Sequence, residues 1–284
     1  MQPRYSRLRS AKAVLEAHEA HCKQMGPLDI SACWSVLGRL ARREPAERNW
    51  LRSVLRRHPA ALQPLLDTTR RELPRFGARP AASTAHGLAS LADASGFGPS
   101  EEVWDGVAAA AGASLSECNS LELSTTVWAY ARVSRPAPAL FDSVAAESEP
   151  RIGSFSPQAL SEPAATAPPT QTQTNTTTTN TTTTTNTTTT TNTNTSTNAT
   201  TNNTANTNTD TATGTTGATV SPQSLANTAW AFAAARHRAP SLLTAVAAES
   251  APRLQAFKPL ELANLSWAYS ALEAEQASTD YRMN

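Results

Sequence analysis

Five small polar residues stand at a fixed distance ahead of an aromatic one. Ser31, Ser83, Thr125, Asn227 and Asn264 precede Trp34, His86, Trp128, Trp230 and Trp267 by three positions each. Three residues is close to one helical turn, so the two members of each pair share a helix face. A hydroxyl or amide whose identity changes from copy to copy is what hydrogen bonding to one base per copy requires. The same position also suits a helix-surface residue or a hydrogen bond between neighbouring helices, and these readings stay open. The aromatic column could stack on bases; at helical spacing it reads rather as core between copies. Arg39, Arg132 and Arg236 follow the aromatic column by five, four and six residues. A guanidinium there either contacts phosphate or favours a helix C-terminus.

Other chemistry has little support. His18, Glu19, His21 and Cys22 cluster in sequence, but no second ligand pair stands at zinc spacing and HExxH is not matched. They read as a solvated helix face. No phosphate-cradling glycine motif occurs, and no Ser/His/Asp or Cys/His set has local support. Nothing in the sequence argues for an enzyme, a cofactor, a metal or a small-molecule substrate.

The elements that must carry these columns are helices. In SPQSLANTAWAFAAARHR, Ser221 to Arg238, a serine N-cap and a proline at the first helical position start a helix. Leu225, Ala229, Phe232 and Ala233 then make an apolar stripe. Pro, Leu, Ala, Asn, Trp and Ala recur 37 residues later in PLELANLSWAYS, and LSTTVWAYAR shows the same theme upstream. DISACWSVLGRLARRE and STAHGLASLA are weaker copies, the latter with His86 in the tryptophan column. A second helix follows each complete copy. Residues 137–161 match residues 239–263 at 13 of 25 positions, including Glu147/Glu249, Arg151/Arg253 and Phe155/Phe257. Pro150 and Pro252 predict a break or kink in that helix. Between the first two copies, residues 49–76 read as two helical pieces broken at Pro59 and Pro64. Such helix–turn–helix units bury their apolar faces only by stacking. The expected fold is all-α, an α-solenoid with a period of about 37 residues.

One interval breaks the period. Trp128 and Trp230 are 102 residues apart, and the two Pro-Gln-x-Leu edges, at Pro157 and Pro222, are 65 apart. Removing 65 residues at that duplicated edge restores the 37-residue spacing. The Thr/Asn-rich residues between have too little apolar content to offset their ordering entropy. They are expected to be a disordered insertion, with Pro222 rather than Pro157 supplying the helix start. Closing such a loop costs on the order of 1–3 kcal/mol, so deleting it should leave stability and binding unchanged. The expected organisation is a basic segment over 1–25, helical repeats over 26–160, the insertion over 161–220, two more repeats over 221–275, the last incomplete, and a tail over 276–284.

Charge is balanced overall at +1 but not locally. Residues 1–80 hold 16 Lys and Arg against 7 Asp and Glu, and the remainder 8 against 16. The cationic end suits a polyanionic partner, or equally a solvated arginine-rich surface with no partner. Three widely spaced cysteines argue against a disulfide framework. No apolar run approaches the roughly twenty residues of a membrane span. The acid-poor first fifteen residues, MQPRYSRLRSAKAVL, read either as an organelle transit peptide or as a basic first helix.

At PQSLANTAWAFA the chain resembles the octotricopeptide-type repeats of algal and protist organelle RNA-binding proteins. Pro222, Gln223, Leu225, Asn227, Trp230, Ala231 and Ala233 match the family pattern, and Pro259, Leu262, Asn264, Trp267 and Ala268 match it again. Leu260 replaces the glutamine, and His86 replaces a tryptophan. The likeness covers about residues 29–160 and 221–275. It implies an α-solenoid that binds single-stranded RNA and acts on chloroplast or mitochondrial transcripts, in their stability, processing or translation. Many such proteins end in a nuclease-like RAP domain, which this sequence lacks; with the fifth copy short of its second helix, it reads as a truncated or incomplete chain. A helical scaffold that binds proteins instead is the alternative.

Overall fold

A computed structural model describes residues 5–154 and 220–283. They form eleven α-helices that pack against one another, with no strand among the described residues. These are α1 (Ala11–His21), α2 (Pro27–Arg43), α3 (Pro45–Arg57), α4 (Gln63–Glu72), α5 (Ala78–Ser95) and α6 (Glu101–Gly112). Then follow α7 (Ser120–Arg132), α8 (Pro138–Ser154), α9 (Pro222–Ala234), α10 (Pro240–Ser250) and α11 (Pro259–Met283).

Local sequence explains the helix ends. Ser221 caps α9, its Oγ accepting from the Ser224 N–H at 3.1 Å, and Pro222 takes the first turn. Asn119 and Glu122 close a reciprocal capping box on α7 at 2.9 and 3.0 Å, satisfying N–H groups that a helix start leaves open. At the other ends, Ser134 and Arg236 both adopt φ 53°. There the N–H of Arg135 donates to Tyr130 O at 2.9 Å, and that of His237 to Phe232 O at 3.0 Å. Two non-glycine residues 102 positions apart thus close their helices with the same left-handed cap.

Packing follows two rows. In the first, α2 lies on α5, α5 on α7, α7 on α9 and α9 on α11. In the second, α4 meets α6, α6 meets α8 and α8 meets α10. The core between them recurs in kind. Tyr130 Oη donates to Trp104 O, and Tyr269 Oη to Leu243 O, both at 2.6 Å and both 26 residues back. Phe232 stands at the equivalent place in α9 and packs edge-on against Phe141 at 5.1 Å. Arg151 and Arg253 each ion-pair with a glutamate one turn earlier. Each also reaches 33 residues back, to the carbonyls of Cys118 and Val220, pinning the chain ahead of a first-row helix. Replacing Tyr130 by Phe removes one buried bond and should cost about 1 kcal/mol. A melting temperature lowered by about 2–4 °C in circular dichroism would register it.

The prolines divide. Pro252 lies where α10 has given way to a 3-10 turn over Ala251–Ala256, kinked at Arg253. Pro150 sits inside α8 without ending it, so of the break or kink expected there, the break does not occur. One lost backbone bond is tolerated because Ile152 and Arg151 anchor the last turn, by burial and by bonds to Cys118 O and Ser116 O. Pro59 does end α3, whereas Pro64 is in the first turn of α4 and breaks nothing. The Pro157 edge and the Thr/Asn segment to residue 219 lie outside the described residues. Val220, assigned to that segment by sequence, is buried and belongs to the fold. The expected tail over 276–284 is also corrected, since α11 continues to Met283.

Candidate functional site

The two columns come out on one face of the first row. Ser83 and His86 of α5, Thr125 and Trp128 of α7, and Asn227 and Trp230 of α9 are half-buried, each flanked by fully buried neighbours. On α11, Asn264 is half-buried and Trp267 is 48% exposed. The rings form a continuous line. His86 to Trp128 is 5.2 Å between centroids, Trp128 to Trp230 6.5 Å and Trp230 to Trp267 6.2 Å, with tilts of 34° to 39°. They are therefore both packing between helices and surface, with the polar column one turn away.

On α7 the column residue differs from the polar residues beside it, whereas on α5 the neighbouring Thr84 hydroxyl is also without a partner among the described residues. Ser124 Oγ donates to Leu121 O at 3.0 Å and Thr126 Oγ1 to Glu122 O at 2.8 Å, spending their hydroxyls on their own helix. Ser83, Thr125, Asn227 and Asn264 make no side-chain hydrogen bond among the described residues. Among the described residues no side-chain bond between helices holds them, and a plain helix-surface position remains.

The first copy is corrected by one residue. Ser31 is buried and donates to Leu28 O at 3.0 Å. Trp34 is fully buried; its Nε1 donates to Thr69 Oγ1 at 2.9 Å and its ring stacks on Phe97 at 6.2 Å. Neither faces the column. Counting from the first-turn proline, Pro27 in α2 corresponds to Pro222 in α9, so Ala32 and Ser35 take the places of Asn227 and Trp230. Both are half-buried, and Ser35 Oγ donates to Ser83 O at 3.4 Å. The proline marks the register, and aligning on tryptophan missed it.

That register also sorts the arginines. Arg39 and Arg132 stand four residues past Ser35 and Trp128, at one position of the face. Arg39 is exposed and donates to Leu8 O at 3.4 Å. Arg132 is paired with Asp93 at 2.7 Å, which partly neutralises it. Arg236 is the exposed left-handed cap of α9 and does not share their position. The sequence reading missed Arg42, whose charge acts on His86. Burial first, and Arg42 second, pull the His86 imidazole down to about 4, so this rung is neutral at pH 7.

No group of three or more His, Cys, Asp or Glu among the described residues could hold a metal. His18 is not on a solvated face as expected: it is buried, 2.9 Å from Thr68 Oγ1, because the turn of α4 that holds Thr68 covers it. Burial, then Arg71, lowers its pKa. Cys33 and Cys118 are free and buried, and burial pushes their thiols up to about 12 and about 11, away from nucleophilic use. Among the described residues, no helix is long and apolar enough to cross a membrane. No protein-family model matches the chain, and no curated protein matches it either.

Proposed function

We propose that the chain is an RNA-binding α-solenoid whose first-row helices present one polar side chain and one ring per repeat to single-stranded RNA. The observation that carries this is the row Ser83, Thr125, Asn227 and Asn264, four half-buried polar groups left without a side-chain bond among the described residues beside a line of rings. Groups so placed can satisfy their hydrogen bonds with base edges, while the rings offer stacking surface. Arg39 and, after release from Asp93, Arg132 would meet phosphates. Ala32 at the first position leaves that repeat without a hydrogen-bonding group, so four repeats choose bases rather than five. The resemblance to octotricopeptide repeats favours transcripts of a chloroplast or mitochondrion.

Titrating the full chain with a randomised short single-stranded RNA pool at about 50 and 200 mM salt tests the reading, since phosphate contacts make affinity fall steeply with salt. Absence of binding at the lower salt overturns it. Asn227→Ser should change base preference at one position and leave total affinity within about tenfold, the scale of one hydrogen-bonding pair. Uniform weakening over all RNAs would place Asn227 in structure instead. A protein-binding scaffold is the second reading. It is favoured by Leu260 and Trp267, exposed at 73% and 48% on α11, and salt-insensitive capture of a protein by the full chain would select it.

A further inference from the structure

The first row of helices has two ends, and one of them is open. α11 packs on α9, and its buried residues Leu265 and Ala268 point back to that helix. Its opposite face is uncovered. On α9, Ala226, Ala229 and Ala233 are buried. The residues 37 positions later on α11, Ala263, Ser266 and Ser270, are all exposed, as is Leu262 one turn before Ser266. The equivalents of those three residues on α2, α5 and α7 are buried too. On α2 two of them, Trp34 and Gly38, lie directly against Gly87 of α5. These positions are therefore where each helix receives the next, and on α11 they receive nothing among the described residues. The second row repeats the contrast: Ile152 of α8 is 4% exposed, and Leu254, 102 residues later, is 45% exposed.

The other end of the row is closed. α2 is covered by α1 and by the turn over Tyr5–Arg7, with Tyr5, Ala11 and Val14 buried. Cys33 and Val36, at the positions where α11 carries Leu265 and Ala268, are buried as well. A second copy therefore cannot stack head to tail on α11 through its α2. The face it has to offer is its own α11.

Charge sets the direction of that contact. Glu273 stands seven residues past Ser266, two turns along the same face. It is exposed and has no hydrogen bond or ion pair among the described residues. Lys258, eight residues before Ser266 and just ahead of the helix, is exposed, and its amine is likewise unpaired among the described residues. Parallel pairing of two α11 helices would set Glu273 against Glu273. Antiparallel pairing sets each Glu273 beside the other copy's Lys258 and the positive end of its helix. We propose that the chain forms a twofold homodimer in which the α11 helices of two copies pack antiparallel, centred on Ser266. Ala263, Ser266 and Ser270 are small enough to let the two axes approach closely, and Leu262 is covered. Twofold symmetry makes the Lys258–Glu273 pair twice. One helix pair is a small interface, so the dissociation constant is expected on the order of 10 µM.

The test is sedimentation equilibrium of the full chain, without RNA, from about 1 to 200 µM, a range that brackets that constant. A reversible monomer–dimer equilibrium is expected. Ser266→Arg brings two guanidiniums together at the axis and should leave a monomer throughout; Ser266 is exposed, so the circular dichroism spectrum should stay that of the parent. Glu273→Lys should weaken the dimer about tenfold, through two lost pairs and two new repulsions. Adding Lys258→Glu to it should restore the parent constant to within about threefold, as a direct pair requires. A parent chain that stays monomeric leaves the face to a protein of another kind and overturns the proposal. So does growth beyond the dimer, which means that two different faces meet. A dimer untouched by Ser266→Arg lies elsewhere on the molecule, and a double variant no better than Glu273→Lys overturns the antiparallel arrangement. None of these results depends on what the ring line binds.

Discussion

Gly87→Ala is expected to destabilise the protein by about 3 kcal/mol, at the upper end of what an overpacked core costs, and Gly87→Leu to prevent folding. The reason is the contact between α2 and α5, the closest in the first row. A Cβ on Gly87 would run into the carbonyl carbon of Trp34, with Trp34 O at 2.5 Å and Ser35 N at 2.8 Å. A Cβ on Gly38 would meet Gly87 O at 2.6 Å and Ser90 Cβ at 2.9 Å. These obstacles are largely backbone, so no rotamer change relieves them and the helices must separate. Separation would pull Trp34 from Thr69 and from the Phe97 ring stacked on it. Thermal unfolding followed by circular dichroism should show the midpoint lowered by about 6–12 °C in Gly87→Ala. A midpoint within 2 °C of the parent would mean that the helices part at little cost.

Acid should destabilise the protein through His86. Its folded pKa of about 4 lies below the ordinary imidazole value, so the unfolded chain takes up the proton first. The associated stability is fully present above about pH 6.5 and is lost as pH falls from there towards 4. At 1.36 kcal/mol per unit, the loss is on the order of 3 kcal/mol at most. His86→Trp, which restores the residue found on α7, α9 and α11, removes this titration. Urea midpoints at pH 7.5 and 4.5 should therefore differ by less in His86→Trp than in the parent, by about 2–3 kcal/mol in free energy. His18, also lowered by burial, remains in both proteins and cancels, as do the carboxylates. An identical pH dependence in the two would show that His86 titrates as it would in water. In the RNA titration proposed above, the same variant would report whether a fourth indole changes affinity.

Much of the helical architecture is legible in local sequence. Caps, first-turn prolines and apolar stripes are short-range features, and α7, α9 and α11 begin where Asn119, Ser221 and Pro259 place them. The start of α9 at Pro222 was likewise readable from the duplicated Pro-Gln-x-Leu edge. The four polar positions from Ser83 to Asn264 were readable because helical spacing carries both them and their rings to one face. Sequence left Pro150 as a break or a kink, and the helix does not end there. A proline's local cost is fixed, but whether a helix ends there depends on what the next turn gains from packing.

What sequence by itself determined about this protein is that much of it makes helices, that one helix type recurs, and that α9 starts at its Ser221 cap and Pro222. Tertiary structure decided the rest. It turned Trp34 and Ser31 inward and brought Ala32 and Ser35 to the face, because Gly38 and Gly87 let α2 approach α5 more closely than helices with side chains at the crossing can. It buried His18 under α4 and paired Arg132 with Asp93, contacts between residues 50 and 39 positions apart. And it left the side chains of Ser83, Thr125, Asn227 and Asn264 without hydrogen bonds among the described residues, while Ser124 and Thr126 beside Thr125 bond their own helix. The identity of a hydroxyl is local, but its freedom depends on which atoms of distant segments come within reach, and only the packed helices fix that.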